Sequence, residues 1–266
     1  MNEFAYFDRE NLTKIATSHQ EVYRKAKPFP HIVFNNLFPE EVLTQALSEF
    51  PDPKDPRWMH YKGETEKKLA SRDERFIGPF TRHFLYALNS APFIEFLEQL
   101  TGIEGLIPDP HFEGGGLHQI ESAGLLKIHA DFNKHPRLRL DRRLNILIYL
   151  NKNWDESYGG HLELWNKEMT QCEQKILPVF NRTVIFSTTF YSYHGHPDPL
   201  TCPESMTRKS LALYYYSNGR PLGETVRTHS TLFQKRAGEG WKAHKKKWSI
   251  RPKKWIQKYF PQLFYK

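Results

Sequence analysis

The sequence predicts an α+β fold in which a helical N-terminal region supports a jelly-roll β core. Three observations carry that expectation. Apolar residues recur at helical spacing within the first 110 or so residues. From about Phe112 to Tyr216 the pattern changes to short runs rich in Val, Ile, Leu, Tyr and Phe, broken by Gly, Pro, Asn and Asp. At least seven such runs within roughly a hundred residues are what a jelly-roll barrel or sandwich requires.

Within 1–110, Val42, Leu43, Ala46, Leu47 and Phe50 mark one helix, and Pro39 before them is a good first-turn residue. A second helix is expected from about Pro79 to Asn89, and a third from Pro92 through Phe93, Phe96, Leu97 and Leu100 to a stop at Gly102. The segment Pro28–Phe38 reads as a strand and turn leading into the first of these. Strands are expected near Gly116–Ile120, Leu125–His129, Leu144–Leu150, His161–Trp165, Lys175–Leu177, Thr183–Ser187 and Ser210–Tyr216. The organisation is therefore a supporting helical region at 1–110, a β core at 111–219 and a basic, aromatic extension at 220–266.

Composition narrows the class. The 266 residues are 39% hydrophobic and 26% charged, as in a soluble globular protein, and no run approaches the ~18 apolar residues of a membrane span. The first residues, MNEFAYFDRE, lack the layout of a secretory signal, and Cys172 and Cys202 form neither a disulfide framework nor a metal-ligand spacing. A cytoplasmic location is the expectation. The net charge of +8 is concentrated: Lys235–Lys266 holds eleven Lys or Arg and one acid, which leaves −2 for the rest. Such a run is either a solvated face or a contact for an acidic partner. Trp241, Trp248 and Trp255 recur every seven residues there, but Pro252 and Pro261 interrupt a continuous helix. Lys253–Phe264 could form a short amphipathic element on an acidic surface.

The chemistry lies in the β region. His129-Ala-Asp131 places an imidazole and a carboxylate on one face of a strand. With one distant His they make the 2-His-1-carboxylate set, which leaves open positions on Fe(II) for a chelating co-substrate and dioxygen. Two other pairs share the spacing. His196-Pro-Asp198 contains a proline and His111-Phe-Glu113 precedes three glycines, so both read as turns. Downstream, one strand delivers His194 and the next opens with Arg208. A chelated dicarboxylate has a second carboxylate to satisfy, and a guanidinium meets it bidentately. Both His194 and His196 are candidates for the distal ligand. The Gly after His194, which lets the chain turn away, and the Pro after His196 favour His194.

These elements, HADF at 129–132, RRLNILIYLNKNWDESYGGHLELW at 142–165, FNRTVIFSTTFYSYHGHPDPL at 180–200 and RKSLALYYY at 208–216, resemble the prolyl-4-hydroxylase-like branch of the 2-oxoglutarate/Fe(II) oxygenases, bacterial type. The resemblance spans roughly Leu100 to Ser217. It implies a double-stranded β-helix core, with His129, Asp131 and His194 as catalytic iron ligands and Arg208 as partner of the far carboxylate of 2-oxoglutarate. Tyr149 would donate to that carboxylate and Leu162 would line the co-substrate pocket. Relatives often carry a tyrosine shortly before the HxD pair. Here GLHQIESAGLLKIH has none, and Gln119 or His118 could substitute.

The implied cofactors are Fe(II), 2-oxoglutarate and O2, with ascorbate as a reductant. The implied reaction is hydroxylation with release of succinate and CO2. Related halogenases have a small residue where Asp131 stands, so hydroxylation is favoured over halogenation. The substrate is open. A peptidyl proline or another peptidyl residue follows only by family analogy, and an amino acid or sugar-linked natural product is the alternative. Two other classes compete: a basic binding module without turnover, and a cupin-like metalloenzyme independent of 2-oxoglutarate. Arg208 after the distal His argues against the second.

Overall fold

Leu12, Ala16 and Tyr23 recur along one side of the first helix and are buried, while most of the other side chains face water. This helix, α1 (Arg9–Lys25), is capped by the Asp8 side chain, which accepts from the Glu10 amide. It packs against α4 (Ala91–Thr101), whose Phe93, Phe96, Leu97 and Leu100 are fully or almost fully buried. Gly102 ends α4 in the left-handed region (φ 71°), the stop that the sequence signals. Between them come α2 (Glu40–Ser48) and α3 (Pro79–Leu88), close to the expected bounds. The computed structural model describes residues 6–71, 73–224 and 227–241.

The helices back a large antiparallel sheet. Its strands are β1 (His31–Asn35), β2 (Met59–Lys62), β3 (Glu66–Ala70), β4 (Ile107–Pro108), β5 (Gly116–Ile120), β6 (Leu125–Ala130), β7 (Asp141–Tyr149), β8 (Leu162–Trp165), β9 (Cys172–Ile176), β10 (Arg182–Ser187), β11 (Tyr193–His196), β12 (Arg208–Ser217) and β13 (Leu232–Phe233). The order is β1-β10-β7-β12-β5-β3-β6-β11-β8-β9, with β2 beside β3, β4 beside β12 and β13 beside β6. The sheet curls on itself, so β6, β8 and β11 face β7 and β12 across an inner cavity to which all five contribute. This is the double-stranded β-helix, or jelly roll. The face of β7, β10 and β12 that carries Leu144, Ile146, Ile148, Ile185, Leu211 and Leu213 merges with the helices into one core.

All seven expected strands are present within a few residues. Three features differ from expectation. Residues 193–196 form strand β11, although HGHPDPL reads as a loop. Lys127 and Leu126 explain why: a Cβ at Gly195 would stand 2.7–2.9 Å from their backbone oxygens, so glycine is needed for close strand pairing and not for a turn. The β2–β3 hairpin joins the edges of β5 and β6 through β3. Beyond Gly219 the chain returns to the sheet as β13. The tail elements placed on Trp248, Trp255 and Lys253–Phe264 lie outside the described residues.

Candidate metal and co-substrate site

His129 lies near the end of β6 and His194 near the start of β11, and the two are directly opposed in the antiparallel register. Asp131 follows β6 by one residue. Their potential ligand atoms lie within 4.8 Å of one another. Asp131 Oδ1 is 3.7 Å from His129 Nε2, and Asp131 Oδ2 is 3.5 Å from His194 Nε2. Each imidazole donates Nδ1–H to a backbone carbonyl, His129 to Lys127 and His194 to Ser192, both at 2.8 Å. That fixes the tautomer and leaves both Nε2 lone pairs directed at the carboxylate, as metal ligation requires.

Asp131 is itself held. Its Oδ2 accepts from Arg142 Nη2 at 3.0 Å and from Asn145 Nδ2 at 2.6 Å. Arg142 is fully buried, with its guanidinium over the rings of Phe132 and Tyr214. Burial alone would raise the Asp131 carboxyl, but Arg142 and the two imidazoles hold it well below the usual range. His194 is pushed down to about 4, by burial first and then by the charge of His129. The carboxylate is thus ionised and the imidazole neutral, the states that bind a divalent cation. The donor set fits Fe(II).

The cluster sits where two spaces meet. Inward lies a small buried cavity of about 70 Å³; outward lies an open cleft of about 900 Å³, and both are lined by Lys68, His129, Asp131 and Tyr214. Arg208, the first residue of β12, points into the cavity. Its Nε donates to the Gly160 carbonyl at 2.8 Å and its Nη2 to the Tyr149 hydroxyl at 3.2 Å. Gly160 (φ 73°) has room for no Cβ, which would come within 2.7 Å of Leu200 and 3.0 Å of Arg208. Leu162 lines the cavity directly, and Tyr149 packs beside it in a buried cluster.

His118 and His196 line the cavity too. His196 is not at a loop entrance, as its proline neighbour suggests, but buried, and neither ring nitrogen has a partner among the described residues. Of the two candidates for the missing tyrosine, His118 faces the cavity, whereas Gln119 does not line it. The sequence gives no hint of Lys68, from β3. Arg208, Lys68, His118 and His196 are all held below their ordinary pKa values, burial being the largest cause in each. A cavity so rich in donors and short of negative charge suits a small dianion.

Comparison with known proteins points to one family. Residues 115–216, which contain all six residues singled out in the sequence, match the family model of the 2OG-Fe(II) oxygenase superfamily. Residues 115–216 are similar to this superfamily. The chain is 23% identical over 206 residues to the prolyl 3-hydroxylase OGFOD1 of Mus musculus, covering 75% of this chain but 35% of that protein, so it spans about a third of the relative's length. The fold resembles a prolyl hydroxylase from Trichoplax adhaerens, solved with a hypoxia inducible factor peptide (TM-score 0.56, 17% identity, 79% of this chain and 90% of that one). It also resembles a prolyl-4-hydroxylase from Pseudomonas putida (TM-score 0.52, 13% identity, 80% and 100%). The family-model match supports an Fe(II)- and 2-oxoglutarate-dependent oxygenase using O2. Among the described residues no helix is long and apolar enough to cross a membrane.

Proposed function

We propose that this oxygenase hydroxylates a peptidyl residue, a proline by preference, with His129, Asp131 and His194 holding Fe(II) and Arg208 anchoring 2-oxoglutarate. The observation that carries the reading is the shape of the space around the cluster. The co-substrate side is small, buried and cationic. The substrate side is a broad cleft, large enough for a segment of chain, with Tyr61, Phe132, Tyr214 and Phe233 along it. Aromatic faces beside the metal suit an apolar, electron-poor ring such as that of proline. The prolyl hydroxylase relatives support the same substrate class.

Each side chain has a separable task. Arg208 Nη2 and the Tyr149 hydroxyl are 3.2 Å apart and present donors to one carboxylate of the co-substrate, while Leu162 sets its apolar wall. Arg142 and Asn145 fix the Asp131 carboxylate so that one oxygen remains for the metal. Phe233 packs 5.6 Å from the His129 ring and shields it on the cleft side. Bound at this site, Fe(II) supplies the oxidative chemistry: O2, 2-oxoglutarate and a substrate C–H become succinate, CO2 and the C–OH product.

The test supplies Fe(II), 2-oxoglutarate and ascorbate together with a library of proline-containing peptides, and follows succinate and peptide mass. Succinate release coupled to the gain of one oxygen on a prolyl residue is expected. Turnover coupled only to free amino acids or sugar-linked compounds would overturn the peptidyl reading and leave the small-molecule one.

A further inference from the structure

A second cavity, of about 410 Å³, lies between the end of α1, the end of β10 and the segment that follows β12, and shares no lining residue with the metal site's cavity or cleft. Two guanidiniums line it. The Arg143 side chain is 9% exposed and that of Arg220 6%, so both are more than nine-tenths buried. One carboxylate serves both: Glu224 Oε2 lies 3.3 Å from Arg143 Nη2 and 3.6 Å from Arg220 Nη1. That carboxylate belongs to a side chain 48% exposed, and Asp141 is the other acid whose charge Arg220 feels.

Arg220 is short of acceptors as well as of charge. Its Nη2 donates to the carbonyls of Arg142 and Thr188, but its buried Nε has no partner among the described residues. Burial, and then the charge of Arg143, holds the Arg220 guanidinium below its ordinary pKa. A buried donor without an acceptor is costly, and two adjacent guanidiniums with one loosely held carboxylate are under-compensated. The hydroxyls of Ser187 and Thr188 are taken by Tyr23 and Asn145, but that of Thr189, on the same wall, only accepts from the Tyr191 amide and keeps its own hydrogen for an oxyanion.

We propose that Arg143 and Arg220 form a second anion site, distinct from the co-substrate cavity, that takes the carboxylate or phosphate group of a small molecule in place of the Glu224 side chain. Glu224 is then an internal competitor: it holds the pair together when the site is empty and swings into solvent when an external oxyanion arrives. Its half-exposed position makes that exchange easy, because a solvated carboxylate loses little on leaving. A planar carboxylate or a phosphate oxygen can accept from both guanidiniums at once.

The test is calorimetric titration of the full chain with inorganic phosphate and, separately, with acetate. One saturable site that survives Arg208→Gln is expected, and the tighter of the two ligands names the group. Glu224→Gln removes the competitor and tightens binding severalfold. Arg220→Gln or Arg143→Gln weakens it about tenfold or more, the loss of a charged hydrogen bond. Arg208→Gln leaves it unchanged. If the wild type and Glu224→Gln, the variant least able to disturb the fold, both show no saturable binding, the pair is a structural brace only and the proposal fails. If Arg208→Gln abolishes binding, the anion was in the co-substrate cavity and the proposal fails equally.

Discussion

Arg208 occupies the first position of β12, and its guanidinium is oriented before any co-substrate arrives by the Gly160 carbonyl and the Tyr149 hydroxyl. Arg208→Ala should therefore raise the 2-oxoglutarate concentration needed for half-saturation by about ten- to a hundredfold, the loss of about 1.5–3 kcal/mol from a charged hydrogen bond. Arg208→Lys should recover only part of this, since a lysine keeps the charge but not the planar fork. Normal 2-oxoglutarate binding by the alanine variant would hand the role to Lys68, the other cation of the cavity. The two histidines of β11 should separate cleanly. His194→Ala should lose stoichiometric iron, whereas His196→Ala should keep iron and shift only co-substrate affinity; the opposite pattern of iron content would exchange their roles. The His129–Asp131 pair was legible because a period of two survives along a strand and into its first flanking residue. Arg142 was not legible: its partner Asp131 is eleven residues away, and β7 carries an extra residue beside it, Arg143, where its register with β12 shifts between Tyr215 and Tyr216. Strand phase therefore says nothing about where its side chain goes.

At the scale of elements, the segment after β12 matters most. Leu232 and Phe233 pair with Ala130 and His129, and Gln234 donates its amide to the Ile128 carbonyl, so this strap forms part of the cleft wall. It is fastened by Arg236, which bonds both Asp198 and Glu239, and by Glu239, which also meets Lys127. Burial would raise the Glu239 carboxyl, but Trp241, Lys127 and Arg236 bring it down to about 2 from an ordinary 4.5. A depressed carboxyl stabilises the fastened strap at pH values above its unfolded pKa. That contribution is lost as the pH falls from about 4.5 to about 2. The Gln234 amide should accordingly lose protection from hydrogen exchange across that interval, and Glu239→Gln should expose it already at neutral pH, with local opening eased by about 1–3 kcal/mol. Full protection in Glu239→Gln would show that strand pairing alone holds the strap. Truncation after Trp241 should leave uncoupled 2-oxoglutarate turnover intact, whereas truncation after Gly219 should disturb the metal site. No periodicity could announce a two-residue strand, and the β2–β3 hairpin escaped for a related reason. Its sequence, MHYKGETEKKLA, is polar, and it is extended because it borrows the edges of β5 and β6, not because its residues prefer to be.

At the scale of the whole molecule, the helices and one face of the sheet form a single aromatic-rich core in which Phe93 is completely buried and packs against Phe96 and Phe38. Phe93→Ala should cost about 3–5 kcal/mol in denaturant unfolding while leaving iron content at saturating metal unchanged. A parallel loss of iron from the folded variant would show that helices and site are not separable. This architecture was legible because both of its patterns, helical spacing and then apolar strands, run over long stretches, and local preference agrees there with the final burial. His129, Asp131 and His194 are proposed to hold Fe(II) beside a 2-oxoglutarate cavity governed by Arg208. The most direct test is to add Fe(II) and then 2-oxoglutarate to the protein without oxygen and to record the visible metal-to-ligand charge-transfer band of the chelate. The band should appear in the wild type at one equivalent of iron, vanish in Asp131→Ala, and require far more 2-oxoglutarate in Arg208→Ala. A wild type that binds iron but shows no band with 2-oxoglutarate, or a folded Asp131→Ala that shows it unchanged, would contradict the account.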